Sequence, residues 1–400
     1  MILFLHNRYR TTGGEERVLE DLLWLVREHL GEDAELLTRD SATVGRARAA
    51  AGLLGGGLSP DQVAAAVRRT GARIVHAHNV NPSLGWRALA AARAAGARTV
   101  LHLHNYRLVC AVGTCFTRGA DCTRCHGRNT LPGVRLNCRG SGGEAAVYGA
   151  ALALWQRRLL EHTDAVVVPS AFARERLRTL GAPLGANSGV AGKPAAAEGG
   201  LSAVASGPPV HVLGHVVRDV AAGSAAADGR HALVVSRLAP EKGVDVAIAA
   251  CAAAGLRLVV AGDGPERAAL QARATGTDTR FAGHVDSGEL RRLRAEAGLA
   301  LVPSRSAETF GLAAAEAMAA GLPVAASAIG ALAELCDPDG LVEPGDAAAL
   351  AIVARARFGD AAAGEAGRRR VVEIAAPEAV APALADVYAS VGARNPGCRS

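Results

Sequence analysis

The chain has 400 residues, with 44 Lys and Arg against 38 Asp and Glu, a net charge of +6 and a pI near 9.1. That length carries two or three domains of roughly 150 residues each, with ample cores; at 3% aromatic content those cores must be built from Ala, Val and Leu. The mild basic excess suits an anionic substrate or a lipid headgroup surface, and it lacks the concentrated basic tail that would point to nucleic acid.

Residues 2–6 predict a strand and 15–30 a helix with Val18, Leu22, Leu25 and Val26 on one face. The short apolar start is broken at His6-Asn7-Arg8 before a signal core can form. No apolar run nears the ~18 residues that span a bilayer, so a cytoplasmic chain is expected. Between strand and helix, Thr11-Thr12-Gly13-Gly14-Glu15 is a turn whose glycines let backbone approach a phosphate. Residues 73–78 and 99–104 predict two more strands, with a helix at 86–95 between them. They end in parallel phrases, His76-Ala77-His78-Asn79 and His102-Leu103-His104-Asn105. Period two puts His102 and His104 on one face, at the carboxyl end where open α/β sheets bind ligands.

A glycine-punctuated excursion, 108–140, then carries Cys110, Cys115, Cys122, Cys125 and Cys138, five of the eight cysteines. Cys122-Thr123-Arg124-Cys125 is the CxxC half of a zinc knuckle that Cys110 and Cys138 would close, with His126 a spare ligand. A structural zinc, reduced thiols and an iron–sulfur cluster all stay open; disulfides are not expected in the cytoplasm. Residues 145–161 predict a long amphipathic helix. Its Trp155, Arg157 and Arg158 could make peripheral contact with a membrane, although packing on a sheet is the commoner fate. A strand at 165–169 follows. Residues 183–230, rich in Ala, Gly, Ser and Pro, read as a linker region with one strand at 210–213 and mobility over 185–208. Strands at 232–236, 257–261, 280–282 and 299–302 repeat the pattern. The expectation is an α/β chain with two Rossmann-like, doubly wound parallel-sheet domains, 1–182 and 231–377, and a last helical segment at 378–400.

The chemistry concentrates in residues 303–324. A buried strand ends at Pro303; Glu308 sits in the loop; Phe310-Gly311-Leu312 opens a helix carrying Glu316; Gly321 and Pro323 close it. A helix start with little bulk offers free N–H groups to phosphate. The flanking carboxylates can accept from two sets of hydroxyls, so the pattern suits a diphosphate between two polyols. Upstream, Ser236-Arg237 and Lys242-Gly243 follow another strand and supply two cations for phosphate. Lys is written only at Lys193 and Lys242 in the whole chain, which marks the second position. Gly262-Asp263-Gly264 lacks the third spaced glycine of a dinucleotide fingerprint and reads as a strand–helix turn. Asp337-Pro338-Asp339 matches a metal-binding DxD by letters only.

Two Glu separated by seven residues, then Ala317-Met318-Ala319-Ala320-Gly321-Leu322-Pro323-Val324, resemble the donor site of the family-4 retaining glycosyltransferases, which have the two-domain GT-B fold. The resemblance implies transfer of a hexose-type sugar from a nucleoside diphosphate sugar, UDP or GDP foremost, to an unknown acceptor hydroxyl. Front-face attack and no catalytic metal are implied with it. Catalytic roles would fall to His104, Arg237, Lys242 and Glu308. The donor would lie on Gly13, Gly14, Arg237, Lys242, Glu308, Phe310, Gly311, Leu312 and Glu316, with Glu316 on the ribose. His78, Asn79, Asn105, Tyr106 and Arg107 would stand on the acceptor side. A subset of the family carries a similar Cys-rich loop, and the last helix of the fold usually crosses back to the first domain. The rival readings are a GT-B enzyme of another reaction and a non-catalytic nucleotide-sugar-binding or scaffold protein with a metal-binding Cys loop.

Overall fold

The computed structural model describes residues 1–8, 13–190 and 207–392. Thr11, Thr12, Lys193, Cys398 and most of the 185–208 stretch lie outside them. Two compact units emerge. The first takes Met1–Cys115, Cys122–Val216 and the segment that begins at Val380; Val217–Ala379 belongs to the second.

The first unit is built on β1 (Ile2–Arg8), β2 (Ala34–Asp40), β3 (Ile74–Ala77) and β4 (Arg98–His102). A two-residue-per-strand antiparallel hairpin, β5 (Phe116–Thr117) and β6 (Ala120–Asp121), lies in the Cys-rich loop. Then come β7 (Ala165–Val168), β8 (Asn187–Val190) and β9 (Val210–Val212), giving a seven-stranded sheet in the order β2-β1-β3-β4-β7-β9-β8. Every pairing in it is parallel. Its central strands are apolar on both faces because helices cover both; β3 and β7 are buried along their whole length. Edge strand β2, Ala-Glu-Leu-Leu-Thr-Arg-Asp, is half covered, and its polar content hid it from the sequence reading. Part of the 183–230 stretch, expected as a linker with one strand, is sheet: β8 and β9 both pair there. The helix Pro377–Ser390 contributes Tyr388 to this unit, its hydroxyl 2.9 Å from His76 Nδ1.

The second unit carries β10 (His231–Val235), β11 (Leu258–Ala261), β12 (Thr279–Gly283), β13 (Ala297–Val302), β14 (Val324–Ser327) and β15 (Leu341–Val342). They form a parallel sheet in the order β12-β11-β10-β13-β14-β15. Strand alternation divides the core between its faces. Leu233, Val259 and Ala300 pack with Met318 and Leu332 on one side, and Val234, Val260 and Leu301 with Ile248 and Leu350 on the other. As the composition required, aliphatic side chains dominate both layers. The order of the strands reverses between β10 and β13, and ligands of open α/β sheets bind beyond the carboxyl ends of the strands at such a point.

Candidate functional site

The two loops at that reversal carry the second-unit residues singled out in the sequence. After β10 the chain runs through Ser236 and Arg237 into the 3-10 turn Pro240–Lys242 and the helix Val244–Ala254. Beyond β13 it passes Glu308 into the helix Leu312–Ala319. Gly243, at φ +62°, locks them together: a Cβ there would stand 2.0 Å from the Pro303 carbonyl oxygen, so only glycine allows the approach. Lys242 Nζ donates to Glu308 Oε1 at 2.7 Å, and the Ser304 hydroxyl donates to the same oxygen at 2.7 Å. Burial works to raise the Glu308 pKa, but the Lys242 ammonium and these hydrogen bonds outweigh it and hold the carboxyl below its ordinary value. Arg237 pairs with Glu241.

Gly311, at φ +87°, turns the loop into the helix, and no side chain caps the helix start. Phe310 is buried beside it. Glu316 is buried and pairs with Arg294 from the helix Ser287–Ala295. Arg294 is the residue the sequence reading missed. One arginine among many carries no local signal, and its meaning appears only when two helices 22 residues apart in the pair meet. A bare helix start, a lysine, an arginine and two oriented carboxylates can together hold a dianion and the hydroxyls beside it. Asp337 pairs with Arg357 at 2.6 Å.

In the first unit the strand ends gather histidines. His78 Nδ1 and His104 Nε2 are 2.7 Å apart, and the rings of His102 and His104 stack at 4.2 Å. His76 stacks on His102 at 5.4 Å, and His215 lies 5.3 Å from His104. His215 was missed because it follows β9 inside the presumed linker; its signal is the same as for the others, a histidine just past a short apolar strand. Burial, with like charges nearby, lowers His76 and His104 to about 3 and His78, His102 and His215 well below their ordinary value. The imidazoles are therefore neutral at neutral pH. Two sets, His76/His78/His102 and His102/His104/His215, bring nitrogens within 4.8 Å of one another. By distance either set could hold a metal; the His102 and His104 rings stack face to face, whereas His78 and His104 meet nitrogen to nitrogen.

Around them, Asn105 Nδ2 donates to Glu15 Oε1 at 2.6 Å, and Asn79 Nδ2 to the Asn7 carbonyl at 2.6 Å. Arg107 lines the same cavity as His78, Asn79, His104 and Asn105. Tyr106 does not: at 1% exposure it is core, with the Arg176 guanidinium 5.9 Å from its ring. The Gly13 N–H, expected to be open to phosphate, donates to Glu16 Oε2 at 2.9 Å, and Gly14 is the first residue of that helix.

The cysteines expected as metal ligands, Cys110, Cys122, Cys125 and Cys138, are all free thiols. Burial and the charges of the other three push Cys125 up to about 11, so the four lie near one another. Yet, among the described residues, the sets of three or more ligand atoms within 4.8 Å are histidine sets only. Tetrahedral zinc at ~2.3 Å from each sulfur needs sulfurs roughly 4 Å apart, a spacing tighter than that of these four thiols in the metal-free chain. The Cys110 thiol is hydrogen-bonded with that of Cys115, and this contact with backbone N–H groups draws Cys110 down to about 6.

Two parallel Rossmann-like units are the architecture of the GT-B fold. Solved structures agree: sucrose-phosphate synthase from Thermosynechococcus elongatus superposes with a TM-score of 0.67 at 18% identity, covering 98% of this chain and 100% of that one. Anabaena HepE in complex with UDP and glucose gives 0.60 at 17%, covering 97% and 99%. Residues 12–186 match the family model for a glycosyl transferase 4-like domain, and 229–358 the model for glycosyl transferases group 1. The chain belongs to family 4 of the retaining glycosyltransferases. Among curated relatives, the glycogen synthase of Mycobacterium tuberculosis is 40% identical over 182 residues, 41% of this chain and 44% of that protein. A GDP-mannose-dependent alpha-(1-6)-phosphatidylinositol dimannoside mannosyltransferase of the same species is 45% identical over 109 residues, 26% and 28%. The matched stretches thus span less than half the length of these relatives.

Proposed function

We propose that this chain transfers a hexose-type sugar, with retention, from a nucleoside diphosphate sugar to an acceptor hydroxyl. The observation that carries the reading is the Lys242–Glu308 pair bridging the two loops at the strand reversal, beside the uncapped helix start at Gly311. The diphosphate would lie on Arg237, Lys242 and the backbone at 311–312, where cations stabilise the departing nucleoside diphosphate. Glu308 would hold sugar hydroxyls, and Arg294 would fix Glu316 on the ribose. His104 would stand beside the reacting sugar, with His78, Asn79, Asn105 and Arg107 on the acceptor side. No carboxylate is placed as a nucleophile in this reading. Attack is from the front face, the leaving phosphate helping to take the acceptor proton, and the rate comes from positioning and charge stabilisation.

UDP and GDP lead as donors because HepE is described with UDP and the mannosyltransferase relative is GDP-mannose-dependent. The Cys-rich loop, 108–140, is read as the mark of a family subset. No helix among the described residues is long and apolar enough to cross a membrane, and we place the protein in the cytoplasm. The test is thermal stabilisation by a panel of UDP-, GDP-, ADP- and dTDP-sugars. One nucleotide should raise the melting temperature, and Lys242→Ala and Glu316→Ala should lose the effect. No shift with any nucleotide would favour the scaffold reading instead.

A further inference from the structure

We infer that the acceptor is amphipathic: the hydroxyl that receives the sugar is carried on a hydrophobic body, which lodges in the first unit. This rests on the glycosyltransferase reading and adds the chemical class of its acceptor. One cavity in the first unit, open to solvent, is lined by two unlike sets of residues. Its polar end is formed by His78, Asn79, His104, Asn105, Arg107 and Glu15. The rest runs between the helices Arg46–Leu54, Gly85–Ala94 and Gly142–Glu161, walled by Leu53, Val80, Trp86, Leu152, Trp155 and Leu159.

The few polar groups in that wall are mostly committed elsewhere. Gln156 Nε2 donates to the Leu108 and Gly127 carbonyls at 2.9 and 3.1 Å, and the Trp155 indole N–H donates to the Leu54 carbonyl at 3.0 Å. A sugar lodged there would lose water from many hydroxyls and find few partners, a cost that unmade hydrogen bonds impose in full. An aliphatic or aromatic body loses nothing of the kind and gains from burial. Trp86 and Trp155, with ring centroids 5.8 Å apart, offer broad apolar area that is already ordered. The helices that wall the cavity also expose Leu54 and Leu154, at 42% and 49%, next in sequence to Leu53 and Trp155. Hydrophilic and hydrophobic ends of one molecule are thus matched by the two ends of one cavity.

The cavity contains its own reporter. Of three tryptophans in the chain two line it, so Trp24→Phe leaves only Trp86 and Trp155 to emit. This protein is titrated with methyl, hexyl and octyl glucoside below their micelle concentrations. The expected result is a saturable change in emission with octyl glucoside, affinity rising about fourfold for each methylene buried, and no change with methyl glucoside. Ala151→Phe, which narrows the cavity, should weaken octyl glucoside at least tenfold. A circular-dichroism melt checks its folding, and Leu152→Ala, which widens the same wall, should also alter the chain-length preference. Equal responses to methyl and octyl glucoside, or an octyl response untouched by both variants, would overturn the inference.

Release of nucleoside diphosphate from donor sugars without acceptor separates the two claims. Donor turnover without chain-length dependence removes the acceptor class alone. Chain-length dependence without donor binding removes the glycosyltransferase reading, and the acceptor assignment with it.

Discussion

The carboxyl ends of the two sheets are built from opposite electrostatic material. In the second unit charges stand in compensated pairs, Lys242 with Glu308, Arg294 with Glu316, Arg237 with Glu241, and Arg305 with Asp245 at 2.7 Å. The first unit gathers five histidines that burial keeps neutral. Paired ions can be redistributed onto an incoming dianion without placing an unpaired charge in the interior. Stacked neutral rings suit a ligand without charge, since each can donate or accept a proton-sharing bond according to its tautomer. The contrast is between an end suited to an anion and an end suited to a neutral ligand.

The largest effects should come from uncoupling the pairs. Arg294→Ala removes the arginine that pairs with the buried Glu316, and unfolding of the protein, followed by denaturant titration, should lose about 3–5 kcal/mol. Arg294→Lys should restore part of it. Lys242→Ala should lower the turnover number by roughly 10²–10³-fold, the proposed role of its charge being to meet the departing diphosphate, and should cost less stability than Arg294→Ala because its pair is the more exposed; steady-state kinetics would show the split. Were both variants to behave alike in stability, the distinction between a structural pair and a catalytic one would collapse.

The histidine end should show itself through acid. The folded-state pKa values of His76 and His104, about 3, lie below the ordinary value of 6.5, so the unfolded chain binds more protons in between. Stability from these groups is therefore complete above about 6.5 and is lost as pH falls toward 3. Each histidine that stays neutral only in the fold costs about 1.4 kcal/mol per pH unit in that window. Melting temperatures between pH 7 and 5 check this, and replacing His102 with Phe should flatten the slope. The smallest effect is expected from Tyr388→Phe, which removes the partner of His76 Nδ1 and should cost about 0.5–1.5 kcal/mol.

What was legible in the sequence was local. Glu308, Gly311 and Glu316 fall within one strand–loop–helix passage, where spacing alone fixes geometry, and Lys242 stood out by the rarity of its type. The parallel His-Asn phrases announced a shared face because strand periodicity is reliable over three residues. Arg294, His215 and the tryptophan walls were not legible, since each depends on elements brought together from distant sequence. Tyr106 shows the converse error. Its neighbours in sequence reach the cavity, but the chain turns after Asn105, where the Tyr106 N–H bonds back to the Gly113 carbonyl at 2.9 Å, and the ring goes inward. The cysteine spacing placed Cys110, Cys122, Cys125 and Cys138 in one loop, and the charges of the other three do act on Cys125.

The first unit is interrupted in sequence by the second, and its Tyr388 and Ser390 return to His76 and His211. A ribosome reading this message releases every residue of Val217–Ala379 before it releases the helix that completes the unit begun at Met1. The nascent histidine layer must wait, through more than a third of translation, for the phenol that covers His76. The order of synthesis thus favours the ion-paired unit reaching its native state first, and the histidine-rich unit is sealed only by the last turns of helix.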